Sequence, residues 1–250
     1  MKDMSDCWAA CLGGCSDKVS REHLVSKALF PSNEIEVHGF NWCKDAPKRV
    51  GIGSITSKIL CTTHNSGFSE LDSAAAMAFD AFRECRRISN VRENLVGARF
   101  KVERFVIDAL KLERWFLKTL INLSRHSGLH IGPSGEAPGC PSDDLVNICF
   151  GKRQFQGRAG MYVAANQGMV INSIDRVAFT PLTKDDLRIL GGFFEFRGFR
   201  FFLALHPEGL SVPVASIPGI EEGWPNANLL WRFQKFKAKV APSVVIEFRW

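Results

Sequence analysis

The stretch "ILCTTHNSGFSELD", residues 59–72, combines a pair of metal-binding residue types with the start of a helix. Cys61 and His64 are separated by two residues, and a pair with this spacing at the entry to a helix can face one ion. Ser69 is an N-cap residue type, and Asp72 follows it at the third position, as in a capping box. Alanines fill the next turns, so the sequence predicts a helix over residues 70–87.

Three cysteines near the amino terminus offer the second half of a metal site. Cys7, Cys11 and Cys15 follow one another with three residues in each gap. Gly13 and Gly14 give the backbone the freedom that a tight turn around an ion needs. The remaining cysteines are more widely spread, and Cys140 and Cys149 fit small buried or idle thiols.

Two short-spaced pairs separated by a long loop are typical of a structural zinc site. We predict one zinc ion with four ligands: Cys11, Cys15, Cys61 and His64. Cys7 is an alternative to Cys11 or to Cys15, because the spacing on either side of Cys11 is the same. His38 and Cys43, in the loop between the two pairs, are further alternatives.

The segment "SREHLVSKALF", residues 20–30, places an acid-histidine dipeptide between the two halves of this predicted zinc site. The order of two cysteines, Glu22-His23, Cys61-x-x-His64 and Asn65 resembles the zinc-bearing branch of the HNH endonucleases, which belong to the ββα-metal superfamily. The resemblance covers residues 7–87, about a third of the chain. It departs from the family at the central Asn, where this chain has Ser54, Thr56 and Ser57.

The resemblance implies a role for each residue of the motif. His23 would be the general base that takes a proton from the attacking water, a role that suits an imidazole. Glu22 and Asn65 would present oxygen ligands to one catalytic Mg²⁺ or Mn²⁺ ion, while the zinc would hold the scaffold. The substrate would be a phosphodiester of a nucleic acid, with DNA as the expected one.

The net charge of +6 is compatible with a polyanionic partner. Arg21, Lys27 and Lys58 lie close to the motif in sequence and are candidates to contact phosphates, although isolated basic side chains are also often only solvated. Two other functions remain open: a zinc-stabilised nucleic-acid-binding module whose nuclease centre has decayed, and an interaction protein with a purely structural zinc.

Beyond residue 90 the pattern predicts a second, mixed domain. Alternation over "ARFKVERFVID" indicates a strand, and apolar residues at helical spacing then predict a helix that ends at Gly128, with Glu113 and Lys118 on a solvated charged face. Short apolar runs follow, among them "LVNICF", "GMVINSI" and a hairpin turning at Arg197-Gly198, with the rhythm of an antiparallel sheet.

We therefore predict an α+β protein with a zinc-stabilised ββα-metal unit over residues 1–90 and an α+β domain over residues 91–250 that has a long helix and an antiparallel sheet. The second domain would bind substrate, a protein partner or a second copy of the chain. Hydrophobic residues make up 46% of the sequence, and no apolar run is long enough for a membrane span. The amino-terminal residues resemble neither a signal nor a transit peptide, so we expect a cytoplasmic protein.

Overall fold

The computed structural model describes most of the chain and assigns it to two compact units that are discontinuous in sequence. The described residues are 6–30, 32–37, 43, 45–95, 98–132, 137–164, 177–183, 188–196, 199–206, 229–230, 237–239 and 244–250. His38, the turn at 197–198 and the apolar run 168–174 lie outside them. The elements are mixed helix and sheet, which confirms the α+β class.

The first unit comprises residues 1–73, 114–154 and 185–189. Its centre is a pair of antiparallel strands, β1 (Val19–His23) and β4 (Thr56–Cys61), in which His23 lies opposite Thr56. The register shifts between Ser20 and Glu22, where the ladder is irregular. A hairpin of β2 (Glu34–Val37) and β3 (Lys48–Gly51) lies between these strands in sequence.

Two helices follow β4 directly. Helix α1 (Thr62–Ser66) begins after Cys61, whose side chain accepts a hydrogen bond from the backbone N–H of His64. Helix α2 (Ser69–Glu93) confirms the prediction and continues beyond it. The order along the chain from β1 is therefore strand, inserted hairpin, strand and helix.

Helix α3 (Ala109–Ser127) also confirms its prediction, and the chain leaves it through Gly128 at φ 65°, a conformation that favours glycine. Residues 114–127 belong to the first unit, whereas the sequence prediction placed a single boundary near residue 90. The physical reason is that Trp115, Lys118 and Asn122 of α3 form hydrogen bonds or ion pairs with residues of the first seventy-two.

The first unit also contains α4 (Asp143–Cys149), which corrects the prediction that "LVNICF" is a strand. The Ser142 side chain accepts a hydrogen bond from Leu145 N at 3.4 Å, and two acidic residues occupy the first turn. Four apolar residues at helical spacing are buried: Leu145, Val146, Ile148 and Cys149.

The second unit comprises residues 74–113, 155–184 and 190–250. One sheet has the order β10-β6-β9-β8-β7, formed by β6 (Gly160–Ala164), β7 (Val177–Thr183), β8 (Ile189–Phe196), β9 (Phe199–Ala204) and β10 (Leu229–Leu230). The β6–β9, β8–β9 and β6–β10 pairings are antiparallel, and the predicted hairpin pairs Phe196 with Phe199.

A smaller sheet in this unit has the order β11-β12-β5, formed by β5 (Glu103–Asp108), β11 (Lys237–Lys239) and β12 (Val244–Arg249). Its β5–β12 pair is parallel, which the sequence did not predict. The buried rings of Phe82, Phe201 and Phe248 meet at centroid distances of 5.6 to 6.3 Å. Glu113 is also buried, which corrects the expectation that it lies on a solvated face of α3, and it accepts a hydrogen bond from Met161 N at 2.7 Å.

No helix within the described part of the chain has the length and apolar character that crossing a membrane requires.

Candidate functional site

Four potential metal ligands meet in the first unit, at the start of α1. Their ligand atoms all lie within 4.8 Å of one another, and the residues are Cys7, Cys15, Cys61 and His64. His64 Nδ1 lies 3.4 Å from the sulfur of Cys7, 3.5 Å from that of Cys15 and 3.3 Å from that of Cys61. Within the described ranges, this is the only such group of three or more His, Cys, Asp or Glu residues.

The distances fit a tetrahedral zinc ion. Zn–S bonds of about 2.3 Å and Zn–N bonds of about 2.05 Å place sulfur and nitrogen ligands about 3.6 Å apart. The three S···N distances of 3.3 to 3.5 Å are close to that value. Three thiols and one imidazole are a common set for structural zinc, and four protein ligands leave no open position for substrate.

The cysteine-bearing turn is fixed to β4 and α1 by hydrogen bonds on both sides. Trp8 N donates to Ile59 O at 3.1 Å, and Thr62 N donates to Lys18 O at 2.9 Å. The hydroxyl of Ser16 lies 2.6 Å from that of Thr62. These bonds bring the first cysteines to the second pair.

Aromatic side chains cover one side of the cluster. The ring of Phe150 meets the His64 ring edge-on at 5.6 Å between centroids. Phe150 also contacts Phe68 at 4.5 Å and Trp8 at 6.0 Å. An apolar covering of this kind limits access of water to the ligands.

Cys11 lies outside the cluster, which corrects the predicted ligand set. Cys7, the stated alternative, takes its place. Cys11 is exposed on the short 3₁₀ helix Ala10–Leu12, and the turn that follows uses Gly13 and Gly14 at φ 73° and 67°. Burial and the neighbouring Asp143 raise the pKa of the Cys11 thiol to about 11. Cys43 is buried but is not part of the cluster.

The ligand thiols differ in acidity. Burial alone raises the pKa of Cys61, but hydrogen bonds from the backbone of His64 and of Ser16 outweigh it and lower the pKa to about 6. Burial raises the pKa of Cys7, and burial together with the charge of Cys7 raises that of Cys15 to about 12. Binding of a metal ion such as zinc at this cluster would therefore displace protons from at least two of the thiols near neutral pH.

His23 is the last residue of β1. Its Nε2 atom is buried and has no hydrogen-bond partner within the described part of the chain. Burial lowers the pKa of the imidazole, and the positive charges of Lys27 and Lys118 lower it further, while Asp72 opposes them. The ring is therefore neutral near pH 7, the state in which it can accept a proton.

Glu22 points into the interior instead of toward solvent. Its carboxylate is 2.7 Å from Lys118 Nζ and 3.3 Å from Asn122 Nδ2, and Glu22 is only 5% exposed. Lys118 is 2% exposed, which corrects the expectation that it lies on a solvated face of α3. Because the Lys118 ammonium already neutralises this carboxylate, Glu22 is poorly suited to bind a hydrated divalent ion.

Lys118 connects Glu22 to a second carboxylate. Its Nζ lies 2.9 Å from Asp72 Oδ1, and the Ser26 hydroxyl donates to the same oxygen. Trp115 Nε1 in turn donates to Ser26 Oγ at 2.8 Å. Burial lowers the pKa of Lys118, but the two carboxylates raise it by more, so the ammonium stays charged.

Asn122 joins this network from the next turn of α3. Its Nδ2 donates to Glu22 Oε1 and to the carbonyl oxygen of His23, both at 3.3 Å. Its Oδ1 accepts a hydrogen bond from Trp8 Nε1 at 3.1 Å. The sequence reasoning missed this residue, although Trp115, Lys118 and Asn122 share one helix face at spacings of three and four residues.

Asn65 lies in α1, beside β1. Its side-chain Nδ2 donates to Ser20 Oγ at 2.7 Å, three residues before His23 on β1. The hydrogen bond fixes the orientation of the carboxamide. Its Oδ1 makes no hydrogen bond within the described part of the chain and is available to a ligand.

The three basic residues near the motif are all exposed. Arg21 is on β1, Lys58 is on β4, and Lys27 begins the short 3₁₀ helix Lys27–Leu29. None of them forms an ion pair with another described residue, so their charges are available to a polyanion.

Comparison of the chain with protein-family models, with curated proteins and with solved structures gives no match.

Proposed function

We propose that this protein is a metal-dependent endonuclease of the HNH type that hydrolyses phosphodiester bonds, with DNA as the expected substrate. The observation that carries the proposal is the antiparallel pairing of β1 with β4, followed at once by α1. This strand-strand-helix unit has His23 on its first strand and Asn65 on its helix. The order is the one that the family resemblance implies.

In this proposal the Cys₃His cluster holds zinc as a structural ion. Cys7, Cys15, Cys61 and His64 would hold the ion with four protein ligands, which would leave no position for water or phosphate. Its contribution is to stability, because the binding free energy of such a site is also folding free energy. The cluster fastens the amino-terminal turn to the junction of β4 and α1.

His23 accepts the proton of the attacking water. Because burial and the nearby lysines lower its pKa, the imidazole is unprotonated at neutral pH. A general base of this kind contributes about 10²- to 10⁴-fold to the rate. The exposed Arg21, Lys27 and Lys58 hold phosphates of the nucleic acid, mainly through charge.

The catalytic Mg²⁺ or Mn²⁺ ion of the proposal fits only part of the expected ligand set. Asn65 fits, because its Oδ1 is available while its Nδ2 is held by Ser20. Glu22 does not fit, because its carboxylate is buried and paired with Lys118. When bound, such an ion would neutralise charge on the phosphate, with water and phosphate oxygens completing its coordination.

The Glu22–Lys118 pair also favours a second candidate function. The carboxylate of Glu22 forms an ion pair with Lys118, as expected for a nuclease centre that no longer binds its catalytic ion. In that case the protein is a zinc-stabilised nucleic-acid-binding or interaction module. Its exposed basic residues still bind phosphates, but no bond is cleaved.

Nicking of a supercoiled plasmid separates these two functions. We expect the purified protein to produce open circles in Mg²⁺ or Mn²⁺ and none in excess EDTA added immediately before the DNA. Salt-dependent DNA binding without any nicking, in either metal and on both double-stranded and single-stranded substrates, would instead support the binding module. Absence of both binding and cleavage would contradict both functions.

A further inference from the structure

Asn122 connects the metal cluster to the strand that carries His23. It is fully buried on α3, and its single carboxamide makes three hydrogen bonds. It accepts one from the indole of Trp8, the residue after the cluster ligand Cys7. It donates one to Glu22 and one to the backbone carbonyl of His23.

These bonds use both polar groups of the Asn122 side chain, the Nδ2 amide as donor and the Oδ1 oxygen as acceptor. A carboxamide has two N–H donors and a carbonyl acceptor, and a buried polar group that is left unpaired is destabilising. An apolar residue at this position could replace none of the three contacts. Asn122 is therefore specified by its partners, not by packing volume alone.

The position of Asn122 bears on the geometry of His23. The β1–β4 register is irregular between Ser20 and Glu22, just before the histidine, and the pairing resumes with Glu22 opposite Ser57 and His23 opposite Thr56. Asn122 holds this end at the carbonyl of His23 and, through Glu22, at the residue before it. Its third bond ties the same point to the turn that contains Cys7.

We propose that Asn122 is a positioning residue, which sets the backbone of His23 relative to the Cys₃His cluster and so directs the imidazole at the attacking water. This inference rests on the proposed nuclease function. A displacement of about 1 Å in a reacting group can cost about 10²-fold in rate. Asn122 itself lies outside the ββα unit, in helix α3.

The test compares Asn122→Leu with Asn122→Asp in the full chain. Both variants remove the donors to Glu22 and His23, while Asn122→Asp keeps the acceptor for Trp8. We expect kcat for plasmid nicking to fall about 10- to 100-fold with little change in KM. Zinc content should stay at the wild-type ratio, and deuterium exchange at the amides of β1 should become faster.

Asn94→Leu is the matched control, because it removes one exposed hydrogen bond, to Asn90 O, at the end of α2. It should nick at the wild-type rate. Asn122 variants that retain the wild-type kcat would overturn the positioning role while leaving the nuclease proposal intact. Asn122 variants that fail to fold or to bind zinc would make Asn122 a general core residue and would equally overturn it. A wild-type protein that never cleaves removes the proposed function and this inference together.

Discussion

The ammonium nitrogen of Lys118 lies 2.7 Å from Glu22 Oε1, in a part of the first unit where both side chains are almost fully buried. A lysine of helix α3 thus neutralises the acid that precedes His23. This relationship makes Glu22 part of the interior and explains why residues 114–127 belong with the first strands. It leaves His23 and Asn65 as the residues of the motif on which the proposed nuclease mechanism rests.

Replacing Lys118 by Met should strongly destabilise the protein. The substitution leaves Glu22 and Asp72 without their shared cation, and breaking a buried ion pair typically costs about 3–5 kcal/mol. Denaturant unfolding measures the loss. Lys101→Met, which removes the same charge from an exposed position, should change the free energy of unfolding by less than about 0.5 kcal/mol. Equal changes in the free energy of unfolding for the two substitutions would show that the buried ion pair does not stabilise the protein.

The proposed zinc site predicts opposite results for two neighbouring cysteines. Cys7→Ser removes a ligand, so the purified protein should lose its zinc and much of the structure of the first unit. Cys11→Ser changes an exposed thiol outside the cluster and should retain one zinc per chain. Elemental analysis and circular dichroism provide the measurements.

The reverse result, with zinc lost from Cys11→Ser and retained in Cys7→Ser, would contradict the ligand set. A wild-type protein that is folded but contains no zinc, when purified without chelator, would remove the site altogether.

Much of the fold follows from local sequence signals. The alanine-rich segment after Ser69, the apolar spacing of α3 and its exit through Gly128 correspond to observed helix boundaries. A short apolar run such as 145–150 is compatible with a strand or a buried helix. The Ser142 side chain caps the amino terminus of this segment and so favours the helix. The parallel pairing of β5 with β12 joins segments far apart in sequence, which local periodicity does not specify.

The candidate site could be predicted only in part. Cysteines 7, 11 and 15 are equally spaced, so spacing could not determine which two face the second pair. The turn through Gly13 and Gly14 brings the outer two to His64 and leaves Cys11 exposed. The burial of Lys118 depends on two carboxylates from distant segments, and a helical charge pattern alone favours a solvated lysine.

The surroundings of His23 predict the pH dependence of activity. Burial lowers its pKa, Lys27 and Lys118 add to the shift, and Asp72 only partly offsets it. In the proposed mechanism the base is active when neutral, so the acid limb of kcat/KM should have an apparent pKa below about 6.5, the usual value for histidine. NMR titration of the His23 ring should give a pKa below the same value.

The same shift affects stability. The unfolded chain binds the proton more readily than the folded one, so the contribution of His23 to stability is fully present above about pH 6.5 and is lost as the pH falls from there through the lower pKa of the folded state. An acid limb above pH 6.5 that follows a raised His23 pKa would contradict the described environment of the ring.

Plasmid nicking by His23→Ala tests the central claim most directly. We expect the rate to fall about 10²- to 10⁴-fold, with zinc content and DNA affinity at their wild-type values. His126→Ala, at an exposed position in the last turn of α3, is the control and should nick at the wild-type rate. Nicking by His23→Ala at the wild-type rate would contradict the assignment of His23 as the general base, and with it the mechanism proposed for this protein.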